Sequence, residues 1–170
     1  TVNKGNRVGD GIQVNTGNNN QIGGTASGAG NLIAFNAGDG VEIAGGTGNA
    51  VLGNQIRSNT LLGINLDTAG VTANDAPANM DSDSGANNLQ NFPVLTSANA
   101  NAAGTTIAGT FNSNASTTYR VEFFANRPSV TDTPNGEGER YLGYITVTTD
   151  GSGNATINTT LANVWVNSGD

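Results

Sequence analysis

A returning phrase constrains this chain more than any other feature. Asp10-Gly-Ile-Gln-Val14 reappears as Asp39-Gly-Val-Glu-Ile43 and again as Leu62-Gly-Ile-Asn-Leu66. A second phrase travels with it: Gly30-Asn-Leu-Ile-Ala-Phe-Asn36 matches Gly53-Asn-Gln-Ile-Arg-Ser-Asn59. The copies of the first phrase lie 29 and then 23 residues apart. Self-similarity at such a period predicts units that stack on their neighbours rather than fold around one centre.

Within the phrase, apolar and polar residues alternate. Ile12, Val41 and Ile64 fall in one column, and Val14, Ile43 and Leu66 in a second. Gln13, Glu42 and Asn65 lie between them. A period of two predicts a strand with one buried face. The columns recur in register, so the copies are expected to bury each other's Ile and Val and leave the polar residues as an outward row. Gln21-Ile22-Gly23 and Ala50-Val51-Leu52 supply a second strand per repeat. Leu32–Phe35 and Gln55–Arg57 supply a third. Three short strands per repeat predict a parallel β-helix with layers about 4.8 Å apart. The surplus of the longer repeat falls at Thr25–Gly30, read as a corner loop. Asn36 and Asn59, and Asn31 and Asn54, are candidates for amide ladders along the axis. The competing reading makes them left-handed turn residues.

The pattern GNLIxxN, then DGVEI, then GNxVxGNxI resembles the right-handed parallel β-helix repeat proteins. These are large secreted or surface proteins of bacteria, related in fold to pectate lyases. The resemblance covers residues 10 to 67. It implies an extracellular setting and a solenoid of about two and a half repeats. So few repeats need a cap or further repeats at the N-terminal end.

Residues 71–98 lose the periodicity. This Asn-rich join holds Asp75, Asp81 and Asp83, with Asn87 following. Alternating carboxylates and amide oxygens on a Gly-containing loop are Ca²⁺ chemistry, and these four residues are the candidate ligands of a structural ion. The rival is a solvated acidic loop. The string ending NNLQNFP is similar to the segment that follows the last repeat in the same bacterial proteins.

Residues 99–170 change character. Strands are expected at Thr105–Phe111, Tyr119–Ala125, Tyr141–Thr149 and Ala155–Leu161, with another at Val164–Val166. A turn falls at Asp150–Asn154. This predicts a β-sandwich of immunoglobulin or fibronectin type, and TYRVEFFAN followed by GEGERYLGYITVTT is similar to the sandwich of those surface proteins. Five strands are fewer than the seven such a sandwich has. The fold class expected is therefore all-β: a short β-helix over 1–70, a join over 71–98, and an incomplete immunoglobulin-like sandwich over 99–170. Val164, Trp165 and Val166 would be the open edge, completed by more of the chain or by strand addition from a partner. Two unsatisfied ends would permit a head-to-tail filament.

Catalysis has little to work with. Asp10 and Asp39 sit on successive repeats, about 5 Å apart if stacked, with Glu42 on the same face. Leu62 breaks that acidic column, however. Arg57, the cation of the well-matched repeats, lies on another strand. The chain contains no His and no Cys, so neither a nucleophile triad nor a histidine base can be assembled. Tyr119, Phe124, Tyr141, Tyr144 and Trp165 are candidates for a sugar-stacking surface, or else for core and rim. Sequons occur at Asn114, Asn154 and Asn158. Six cations against 13 acids exclude the clustered positive charge that nucleic acid needs. No apolar run is long enough to span a membrane as a helix. The sequence opens without a leader, as expected of an excised mature piece. The function expected is a non-catalytic extracellular structural or adhesive protein, self-associating or joined to neighbouring domains. The alternative is a carbohydrate-binding or carbohydrate-cleaving β-helix protein.

Overall fold

The computed structural model describes residues 4–67, 70–127 and 136–166. It is all-β, with short parallel strands first and longer antiparallel strands after. The first seven strands are three residues each: β1 (Ile12–Val14), β2 (Gln21–Gly23), β3 (Leu32–Ala34), β4 (Val41–Ile43), β5 (Ala50–Leu52), β6 (Gln55–Arg57) and β7 (Ile64–Leu66). They form three parallel sheets, ordered β1-β4-β7, β2-β5 and β3-β6. The register is the one the repeat dictates, with Ile12 opposite Val41 and Val41 opposite Ile64. Ile33 pairs with Ile56 and Ile22 with Val51. Each repeat is thus one tier, and the tiers stack.

Five longer strands follow: β8 (Val94–Asn101), β9 (Gly104–Asn112), β10 (Thr118–Ala125), β11 (Arg140–Thr148) and β12 (Asn154–Ala162). One antiparallel sheet has the order β12-β9-β8, and another pairs β10 with β11. Strand β8 was not expected. Its sequence, VLTSANAN, lacks an apolar alternation, and all eight residues are exposed. It is held by main-chain pairing to β9, with a bulge between Leu95 and Ser97. Val164–Val166 differs in the other direction. No strand forms there among the described residues; instead the Thr105 hydroxyl donates to the Val164 carbonyl (2.7 Å).

The chain divides into two compact units that do not follow chain order. One comprises Thr1–Thr72, Ser84–Leu89 and Phe124–Tyr141; the other comprises Ala73–Asp83, Gln90–Phe123 and Leu142–Asp170. The expected join at 71–98 is therefore shared between them. The first unit buries Ile22, Ile33, Val41, Ile43, Ile56 and Ala86. The second buries Ile107, Phe111, Val121, Phe123, Val147 and Ile157. In the first unit the middle tier is the dry one: Val41 and Ile43 have no exposure, while Ile64 in the third tier is 46% exposed.

The third tier contains one contiguous strand, β7. Its other two faces are completed by segments from far along the chain. Ala86 enters the core over the second face, and the Asn87 amide donates to the Gly46 carbonyl (2.8 Å). Over the third face, the Ile56 amide donates to the Gly138 carbonyl (3.0 Å). A column of glycines shows how closely this imitates a repeat. A Cβ on Gly11 would lie 2.7 Å from the Gly40 oxygen, and one on Gly40 would lie 2.6 Å from the Gly63 oxygen. A Cβ on Gly63 would lie 2.6 Å from the oxygen of Glu137. The backbone of Glu137 thus stands where the next repeat would.

Candidate functional site

The polar residues that distinguish this chain are gathered at the corners of the tiers. Asn36 donates from its amide (3.1 Å) and its Nδ2 (2.7 Å) to Oδ1 of Asn59. Asn31 does the same to Asn54, both at 3.0 Å. A third ladder, not anticipated, runs from Asn20 to Asn49, at 3.0 and 2.8 Å. These side chains satisfy corner amides that strand pairing leaves over, in places where an unpaired group would be costly. Asn49, Asn54 and Asn59 are all at most 5% exposed.

The left-handed turn sits one residue earlier. Asn19, Phe35, Gly48, Gly53 and Ser58 have positive φ, and each precedes a ladder Asn. The sharp reversal aims the following side chain along the stack. At Phe35 a bulky residue is held in a conformation that costs of order 1 kcal/mol. Its ring lies under the Arg57 guanidinium, 5.0 Å from centroid to Cζ, which is where the candidate cation has gone.

Every ladder has one direction. The oxygen of a later Asn accepts from the amide of the earlier one, so the last Asn has donors left over. Asn49 gives its amide to Oδ1 of Asn87 (2.9 Å). Asn59 gives its amide to Glu137 Oε1 (3.0 Å) and its Nδ2 to Glu137 Oε2 (2.6 Å). Glu137 is 7% exposed. The Asn126 oxygen sets its position by accepting the amides of Glu137, Gly138 and Glu139, at 3.2, 2.7 and 3.0 Å. Beside it, a hydrogen bond from Arg127 holds the Glu139 carboxyl below its ordinary pKa.

The acidic column runs in the opposite sense. Asp10 Oδ1 accepts the Asp39 amide (2.6 Å), and Asp39 Oδ1 accepts the Leu62 amide (2.7 Å). Asp39 Oδ2 takes Nδ2 of Asn65 (2.9 Å). The outward row therefore breaks at its last member. Gln13 donates to Glu42, but Asn65 turns to Asp39 and is 4% exposed. Asp10 and Asp39 are engaged in joining tiers.

The four candidate calcium ligands do not converge. Asn87 ends the second ladder. Asp81 is 5% exposed, and its Oδ2 accepts the Ser113 hydroxyl (2.5 Å) and Nε2 of Gln90 (2.7 Å). Asp75 Oδ2 accepts the Ser82 amide (2.9 Å), and Asp83 is half-buried in the same stretch. Among the described residues, no group of three or more acidic, His or Cys side chains is placed to hold a metal. N–H and O–H donors supply what a cation would. Melting curves with added Ca²⁺ and with a chelator are expected to coincide, because a bound ion would raise Tm by mass action. A calcium-dependent rise would return these carboxylates to an ion.

Each aromatic candidate has a partner of its own. Tyr119 meets Phe111 edge-on at 4.9 Å, and Tyr141 meets Phe124 at 5.4 Å. The Arg120 guanidinium covers one face of Tyr144 at 3.4 Å, and Trp165 Nε1 donates to the Asn101 carbonyl (3.0 Å). The sequon residues Asn114, Asn154 and Asn158 are exposed. No protein-family model and no curated protein matches the sequence.

Proposed function

We propose that the stacked tiers are a right-handed parallel β-helix, that the second unit is an immunoglobulin-like sandwich, and that the chain is a non-catalytic extracellular structural or adhesive module. One observation carries the reading: the buried carboxylates and carboxamides of the tiers are turned along the stack, into bonds with the next tier. Asp39 is the strongest case, with both oxygens holding donors. An acid–base pair needs carboxyl groups facing a substrate with a proton to give or take. Asp10 and Asp39 instead resemble clamps. Low charge and abundant Asn and Thr suit an extracellular surface. Partners of the proposed module are copies of itself or neighbouring domains. The natural place for strand addition is β8, an exposed edge that carries Val94 and Leu95, each 50% exposed. Such an edge offers main-chain bonds to an incoming strand.

Incubation with a panel of acidic and neutral polysaccharides tests the reading. No new reducing ends or unsaturated sugars are expected, and a glycan array is expected to stay blank. Product release that disappears in Asp39→Asn, with the fold retained by circular dichroism, would replace this reading with the carbohydrate-active one.

A further inference from the structure

We infer that the finished end of the stack is an assembly stop, in which Glu137 and Asn87 occupy the face on which the first tier of a second copy would otherwise dock. The inference rests on ladder geometry and is independent of whether the protein binds sugars.

The two ends of the stack are chemically complementary. At the first tier, the carboxamides of Asn20 and Asn31 are exposed; inside the stack, the same ladder position presents an oxygen to the preceding tier. At the last tier, the leftover groups are donors: the Asn49 amide, the Asn59 amide and Nδ2, and the Ile56 amide. Donors at one end and acceptors at the other fit head to tail. Such a contact is heterologous and does not close, so it would propagate. Open strand edges invite this pairing unless something covers them.

Here the chain covers the end itself. Glu137 takes the Asn59 donors, Gly138 takes the Ile56 amide, and Asn87 takes the Asn49 amide. Asn87 also returns a bond, from its Nδ2 to the Asn49 carbonyl (2.6 Å). The choice of Glu is informative. Asn59 Oδ1 shows that a neutral oxygen at this position can accept two N–H groups. A carboxylate accepts them more strongly, so the Asn of an incoming copy does not displace it. The cap imitates a repeat on its inner side without offering a repeat on its outer side.

The test compares wild type, E137Q, E137A and N87A by light scattering behind size exclusion and by sedimentation velocity over a concentration series. E137Q keeps an acceptor oxygen and should stay monomeric with wild type. E137A should shift to integer multiples of the monomer mass, increasing with concentration. Adding N20K and N31K, which alter the exposed first tier, should return E137A to the monomer. Circular dichroism checks that each variant is folded, and if E137A is not, N87A opens the other corner and is read the same way. A folded E137A or N87A that stays monomeric overturns the inference. So do oligomers that survive N20K and N31K, and so does a wild-type protein already in chains that those two substitutions dissolve.

Discussion

Ile43→Ala is expected to lower the stability of the protein by about 3 kcal/mol, and Ile64→Ala by less than about 1 kcal/mol, although both are Ile-to-Ala changes on neighbouring strands. Ile43 lies between Val14 and Leu66 in the register of the sheet and has no solvent exposure. Its removal leaves a hole bounded above and below by tiers whose spacing is fixed by main-chain bonds. Such a site cannot collapse, and the cavity term adds to the lost transfer energy. Ile64 occupies the same kind of column, but it is 46% exposed, so truncating it removes area that was already half in water. Urea unfolding of the two variants beside wild type, with the slope held common, measures both values. Equal losses would mean that the middle tier is no drier than the last, and that the stack does not bury its columns as described.

The sequence made the middle of the stack legible and left its end dark, for a physical reason. A tier surrounded by copies of itself needs neighbours of its own kind, so Ile12, Val41 and Ile64 announce one another. The Asn36–Asn59 and Asn31–Asn54 ladders follow from the same repetition. The last tier has no copy to meet. Its partners are selected for chemistry rather than likeness, and they come from 38 residues away for Asn87 and 78 for Glu137. No local pattern marks them. A signal did exist in the direction of the ladders: a last Asn with leftover donors requires an acceptor from somewhere. β8 escaped for the opposite reason, since a strand exposed on both faces has no need of apolar alternation. Asp81 and Asn87 looked like ion ligands because oxygen-rich side chains suit a cation and a hydrogen-bond donor equally well. Only the three-dimensional arrangement tells the two apart.

The sharpest consequence of the capped ladder concerns Asn59→Asp. The substitution is nearly isosteric and keeps an oxygen for Asn36. It exchanges Nδ2, the donor 2.6 Å from Glu137 Oε2, for a second carboxylate oxygen. Two buried carboxylates in that position repel, and neither has a cation to offset it. The expected loss near neutral pH is about 3 kcal/mol or more. Part of it should be recoverable with acid. A proton shared between the two oxygens restores the missing donor, so the pair titrates in the folded state above the ordinary carboxylate range of about 4. A pair whose folded pKa is raised binds more protons folded than unfolded between those two values, so stability falls as pH rises through that window. Unfolding in urea at about pH 5 and about pH 7 should therefore show the variant gaining on wild type at the lower pH. Asn59→Ala is the control. It leaves the Asn36 amide and the Glu137 carboxylate without their partner, costs about 2 kcal/mol, and introduces no second acid to titrate. If Asn59→Asp is as stable as wild type at both pH values, Glu137 is not seated on the ladder, and the end of the stack is open.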